Sequence, residues 1–428
     1  MFFLFGMISF VTNLAAPIGT IWKNQYPSTG MLGNLMNFAA YLFMGIPAGN
    51  MLGRVGYKKT TLWALAAGFF GMFLQYLSSI VGDGTGLSAL VIYLCGAFIG
   101  GFCACMLNTV VNPMLNMLGG GGTRGNQLLQ AGGSFNSLVG TLTPLFVGVL
   151  IGEVTSTTVM GDVRVLLYIA MAVFAVSFFI IWRAAIPEPH LIDPNAPKAK
   201  YSHSAWNFRH TVLGIVGIFF YVGIEVGIPS TLIFFLSDSQ ASGIEVNATA
   251  IAGAVAAVYW LLMLCGRFTS SFISGKVSSR TQLIFVSAVA ICLVICAMFV
   301  SPDARVSMPA YSVEEGFSTA DVPMAAMFLV LCGLCTSVMW GGIFNLAVEG
   351  LGKYTAQASG LFMMMVVGGG VMPFIQELIA QKAGYLESYW LVVAMLAYLL
   401  FYGVKGCKNV NKDIPVDDTP ASDEQLYL

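Results

Sequence analysis

The chain has 428 residues, of which 57% are apolar and 9% charged, with a net charge of −1. A soluble protein of this size carries about 25% charged residues, so a soluble surface cannot be built from this composition. The near-neutral balance offers no electrostatic footprint for nucleic acid.

In chain order, the apolar residues gather into runs of about twenty, the length that crosses a ~30 Å hydrocarbon core. Twelve spans are predicted at roughly 2–22, 31–53, 60–81, 88–115, 127–151, 163–184, 211–236, 249–272, 281–301, 323–346, 358–381 and 388–406. Helices satisfy their backbone within such segments, so the chain is read as an all-α membrane protein. The first run begins at once with no basic flank, and no cleavable signal peptide is expected. The 48 glycines suit helices that pack closely. The longest polar stretch, 185–210, is rich in Pro and reads as a linker. It divides the spans into a bundle over 1–184 and a bundle over 211–406, with a tail at 407–428.

Basic residues set the orientation. With the first span starting in the cytoplasm, the even loops and the tail carry Arg54, Lys58, Lys59, Arg124, Arg183, Lys198, Lys200, Arg209, Lys276, Arg280, Lys353, Lys405, Lys408 and Lys412. The odd loops carry only Lys23, Arg164, Arg305 and Lys382, beside acids such as Asp238, Glu245, Glu314 and Glu315. Both termini are therefore predicted cytoplasmic. The three histidines fall in one polar stretch, and the nine cysteines lie in or at the ends of apolar runs. That pattern offers neither a histidine metal site nor a disulfide framework. No cofactor is expected.

The loop after span two reads GNMLGRVGYKK. Gly49, Gly53 and Gly56 permit a tight turn. Arg54 and Lys58 suit a cytoplasmic helix end. Gly266-Arg267 and Gly275-Lys276 repeat the pattern after span eight. Arg267 is accordingly expected near the cytoplasmic end of its helix, as part of a gating motif. A motif repeated in each half means internal duplication around a central site.

GNMLGRVGYKK resembles the signature loop of the major facilitator superfamily. NTVVNP (108–113), SFNS (134–137), YVGIEVGIPSTL (221–232), YWLLMLCGRF (259–268) and the GGG-MP run at 368–373 resemble the fucose/galactose/glucose symporter family within it, on the glucose/galactose-like branch. The resemblance implies the major facilitator fold, two six-helix bundles that open alternately to either side. It also implies proton-coupling carboxylates in spans one and four, but here those positions read Thr12-Asn13 and Asn108. An amide cannot trade a proton. Gly133 stands where the family has a Gln.

Few polar groups lie within the spans. Glu225 is near the middle of span seven, where a buried carboxylate costs several kcal/mol unless neutral, paired or hydrated. It is the candidate coupling residue, for H⁺ or Na⁺. A structural Glu bonded to a neighbouring helix is the alternative. Glu377, near the outer end of span eleven, is expected to reach water. Asn108 and Asn112 share one helix face, Asn136 lies at similar depth to Asn108, and Asn13 is mid-span. These amides can both donate to and accept from sugar hydroxyls, or serve as glue between helices. Trp260 and Trp340 can stack on a pyranose or simply pack. No Lys or Arg is placed at mid-membrane, which argues against an anion carrier.

The function read from this is transport of a monosaccharide, a hexose or N-acetylhexosamine, by cation-coupled symport in the inner membrane of a bacterium. The protein would act as a monomer. A facilitative uniporter and a carrier of another neutral solute such as a nucleoside remain open. An intramembrane enzyme would need a nucleophile–base pair or metal ligands, and no HExxH or GxSxG occurs in the chain. A receptor would usually carry a signalling domain, and the short tail offers none.

Overall fold

A computed structural model of the protein describes residues 1–118, 122–151, 157–186, 203–273, 277–312, 316–351, 354–411 and 413–416. Most of the predicted linker and tail, together with Gly275, Lys276, Lys353, Glu314 and Glu315, lies outside the described residues.

The N-terminal half contains α1 (Phe2–Gln25), α2 (Leu32–Leu52), α3 (Arg54–Ser78), α4 (Gly86–Leu118), α5 (Gly122–Ile151) and α6 (Arg164–Arg183). The C-terminal half contains α7 (Arg209–Ser237), α8 (Ala248–Ile273), α9 (Ser279–Phe299), α10 (Met324–Val348), α11 (Thr355–Met365 continued by Gly368–Ala383) and α12 (Glu387–Gly406). Eleven spans among the described residues have both the length and the composition to cross a bilayer. The remaining helix, α5, has the length at 30 residues, and its second half, from Leu138 to Ile151, is largely apolar. These twelve helices form the two six-helix bundles of a major facilitator fold.

Large apolar side chains such as Phe43, Trp63, Val165, Phe285 and Phe299 are exposed on the flanks. In water such surface would drive association; around a transmembrane bundle it meets lipid. Helices α2 and α3 form one run of helical hydrogen bonding broken at Gly56, whose φ of 86° and ψ of 177° lie in a region reserved for glycine. Within each half, glycine brings backbones together: a Cβ at Gly101 would collide with the Asn37 carbonyl, and one at Gly368 with the Phe219 carbonyl.

Among the described residues, two helix pairs make the most extensive contact between the halves. On one side α2 meets α11, where Asn34 Nδ2 donates to the Gly369 carbonyl at 2.8 Å. On the other, α5 runs against α8, with Gly140 beneath the Trp260 ring. The segment between α9 and α10, predicted as a plain loop, is an antiparallel hairpin of β1 (Arg305–Ser312) and β2 (Gly316–Pro323). Arg305 anchors it by donating to the carbonyls of Ser242 at 2.9 Å and Gly243 at 3.3 Å.

Candidate functional site

Glu225 lies near the middle of α7, and the resemblance gave it no partner. The structure gives it Arg267. Nη2 of Arg267 stands 3.2 Å from Glu225 Oε1, with the two side chains 14% and 15% exposed. The other arm of the guanidinium crosses to the N-terminal half. Nη1 donates to the Gly133 carbonyl at 2.9 Å and to Ser137 Oγ at 2.8 Å on α5. One side chain therefore ties a mid-membrane carboxylate of one bundle to the backbone of the other.

Two expectations are corrected here. The Arg267 side chain, expected at the cytoplasmic end of its helix as part of a gating motif, turns inward instead, and its guanidinium pairs with the carboxylate near the middle of α7, where no cation is expected from the sequence. Arg267 sits six residues before Ile273, the last described residue of α8, about 9 Å along the axis. A long basic side chain at that depth can reach outward to the interface or inward to a partner. The carboxylate and two acceptors on α5 supply the partners. The glycine before it is also misread as a loop glycine: a Cβ at Gly266 would strike Ser337 of α10, so Gly266 serves packing within the bundle. Gly133 fits the same picture. A Cβ there would come within 3.7 Å of Arg267 Nη1, so a longer side chain such as Gln competes with the guanidinium for that space.

Beside the ion pair, between α1, α7 and α8, is a cavity of about 30 Å³ lined by Thr12, Asn13, Val226, Pro229, Ser230, Ile233 and Trp260. Sites for small ligands are roughly 300–1,000 Å³. This one holds about a single water and is closed around a space no monosaccharide enters. It brings together Asn13 and Trp260 of the predicted residues. Val226, Pro229, Ser230 and Ile233 were not singled out, although Val226, Pro229 and Ser230 fall within YVGIEVGIPSTL.

The remaining amides are engaged with their own bundle. Asn108 Nδ2 donates to the Tyr41 hydroxyl at 2.9 Å, joining α4 to α2. Asn136 Nδ2 donates to the Phe5 carbonyl at 2.9 Å, joining α5 to α1. Asn112 bonds back to the Asn108 carbonyl at 2.9 Å, and Asn13 to the Ser9 carbonyl at 2.9 Å. None of Asn108, Asn112, Asn136 or Glu225 lines the cavity as it stands. Trp340 packs against Tyr221, ring centres 6.0 Å apart. In the signature loop, Gly49 faces open space, Arg54 is exposed, Lys58 is partly buried, and Gly53 continues the helix up to the Gly56 break.

Glu377 is also corrected. It does not reach water: it is 2% exposed, and its Oε2 accepts from the Met31 backbone N–H at 2.8 Å. Nearby, Lys23 Nζ donates to the Tyr385 hydroxyl at 2.6 Å, and Tyr385 donates to Asp238 Oδ2 at 3.1 Å. Burial, reinforced by Asp238, pushes the Tyr385 hydroxyl above its ordinary pKa, so it stays a donor.

The sequence pattern of the Major Facilitator Superfamily matches residues 1–373. The chain belongs to the major facilitator superfamily. Among superfamily members, it is 31% identical over 420 residues to the glucose/galactose transporter of Brucella abortus biovar 1 (strain 9-941), covering 96% of this chain and 93% of that protein. It is 23% identical over 446 residues to the L-fucose-proton symporter of Escherichia coli (strain K12), covering 94% and 90%. The crystal structure of the E. coli fucose:proton symporter FucP superposes with a TM-score of 0.65 at 18% identity, over 94% of this chain and 97% of that one. The likeness in structure is one of fold. The family match and the relatives in sequence place this protein among superfamily transporters rather than enzymes.

Proposed function

We propose that this protein carries a neutral monosaccharide, a hexose or N-acetylhexosamine, across the inner membrane of a bacterium by alternating access coupled to a cation. It acts as a monomer with both termini in the cytoplasm. The relatives named as glucose/galactose transporter and fucose-proton symporter support the substrate class. The positive-inside bias supports the orientation.

One observation carries the mechanism: Arg267 joins Glu225 of α7 to Gly133 and Ser137 of α5. The pair is neutral as a unit, which suits an uncharged substrate. Its members are not equivalent. The guanidinium stays charged throughout, whereas the carboxylate can take up a proton or coordinate Na⁺ through hard oxygen ligands. Either event weakens its hold on Arg267. The arginine is then left to its neutral acceptors on the opposite bundle, and the relative energy of the two bundle arrangements shifts. A cation at Glu225 is in this way linked to which face the cavity opens toward, which is the requirement for symport. Trp260 supplies a flat apolar face for a pyranose, with Asn13, Thr12 and Ser230 as polar partners once the cavity widens.

The test is counterflow and uptake in proteoliposomes with a sugar panel, with and without Na⁺ and a pH gradient. Coupling through Glu225 predicts that Glu225→Gln abolishes concentrative uptake while sugar exchange survives. Persistence of gradient-driven accumulation in that variant refutes it. The second reading, a uniporter, is favoured by one observation: Asn13 and Asn108 replace both of the family's coupling carboxylates. It predicts that the unmutated protein concentrates sugar under neither gradient.

A further inference from the structure

The membrane face away from the termini carries a second polar junction between the halves, and the transport site makes no use of it. It forms where the α1–α2 connection meets the far ends of α7 and α11. Met31 immediately precedes α2 and has no side-chain cap of its own. The first N–H groups of a helix have no partner within the helix, and its N-terminus carries partial positive charge. The group that satisfies Met31 comes from the opposite half of the protein: Glu377 of α11, through Oε2 at 2.8 Å. The second oxygen, Oε1, is buried against Gly30. Glu377 thus caps a helix of the other bundle, and its burial depends on that contact.

A cation beside it repeats the arrangement in reverse. Lys23, in the last turn of α1, sits over the rings of Phe234 and Tyr385 at 4.6 Å and 4.5 Å. It donates to the Tyr385 hydroxyl at 2.6 Å. All of its aromatic and hydroxyl partners belong to the C-terminal half. Gln381 of α11 adds a bond to the Pro27 carbonyl. Both ions are held by groups that separate from them when the halves part at this face, and water is the natural replacement for each. A junction of ions that is satisfied closed, and satisfied again once hydrated, suits a contact made and broken in every cycle. Apolar packing lacks that property, since parting it exposes hydrocarbon to water.

We propose that this junction is the gate that closes the sugar path on the face away from the termini, with the Glu377 cap on α2 as its principal contact and Lys23 as its second. The proposal rests on the alternating-access reading given above. Glu377 acts on the cycle through helix position and touches no substrate.

The test reads access to the cavity and needs no sugar. Ser230 lines the cavity and is buried, so Ser230→Cys, in a chain whose nine native cysteines are replaced, reports entry of a membrane-impermeant maleimide. Vesicles of both orientations separate the two faces. Glu377→Ala is expected to speed labelling from the face away from the termini by about tenfold or more, the range for a lost charged hydrogen bond. It should also slow labelling from the terminal face. Glu377→Gln keeps an acceptor oxygen and is expected to fall between the parent and the alanine variant. Lys23→Met leaves the cap in place and is expected to act in the same direction, which keeps the test decisive if Glu377→Ala fails to fold. Labelling rates unchanged from the parent, or raised only from the terminal face, overturn the proposal. A shift in labelling, where the protein with its native Ser230 and cysteines shows no sugar counterflow, upholds the gate and overturns the substrate reading instead.

Discussion

Removing Arg267 tests whether the central ion pair is energetically real. In Arg267→Met the thioether side chain fills much of the space, but Glu225 keeps its charge with its guanidinium gone. Deleting one partner of a buried pair costs about 3–5 kcal/mol. Here the two side chains are 14% and 15% exposed, so some screening remains and the lower end, about 3 kcal/mol, is expected. The lost bonds to Gly133 and Ser137 add about 0.5–1.5 kcal/mol each. Glu225→Gln is milder, since the amide oxygen still accepts from Arg267; about 1–2 kcal/mol is expected for a charged bond made neutral. The decisive quantity is the double variant. With both charges absent no buried charge is left unpaired, so Glu225→Gln/Arg267→Met is expected to be at least about 1 kcal/mol more stable than Arg267→Met alone. Intrinsic tryptophan fluorescence melts in one detergent would show this as an order of Tm values: parent, then Glu225→Gln, then the double variant, then Arg267→Met. Strict additivity of the two single effects would mean that Glu225 and Arg267 do not interact, and the coupling mechanism would fall with the pair.

Gly56→Ala is expected to lower stability by about 1–3 kcal/mol, because φ of 86° with ψ of 177° strains any residue with a Cβ; an unchanged melt would mean that the signature loop turns elsewhere. Gly101→Ala drives a methyl into the Asn37 carbonyl and is expected to cost about 1–3 kcal/mol, read in the same melts. Asn108→Ala and Asn136→Ala each remove an interhelical bond worth about 0.6–2 kcal/mol. They are also expected to raise the half-saturating sugar concentration in counterflow, and unchanged counterflow would leave both residues as helix ties only. Trp260→Phe is expected to retain more sugar affinity than Trp260→Ala, since a flat ring survives; equal losses would remove stacking from the site.

Composition and the spacing of apolar runs determined the class of protein, the number of helices and, for most of them, their position. A span must be about twenty apolar residues long wherever it sits in the bundle, so this information is local. The Gly56 turn was readable for the same reason: a glycine at a backbone break leaves its mark in the loop that contains it. Glu225 stood out because a carboxylate amid apolar residues is anomalous in one dimension. Its partner did not. Arg267 lies near enough to a helix end to pass for an interfacial charge, and only the packing of α8 against α7 and α5 turns its side chain inward. The amides show the same limit, since a sequence displays Asn108 and Asn136 as polar groups in a membrane but not the Tyr41 hydroxyl and Phe5 carbonyl that occupy them. Glu377 is the clearest case. Its neighbours in sequence place it near water, and its neighbour in space is the N-terminus of a helix 346 residues away. Which charges meet is decided by the tertiary structure, because the energy of an ion depends on the groups within a few ångströms of it, and those come from other helices.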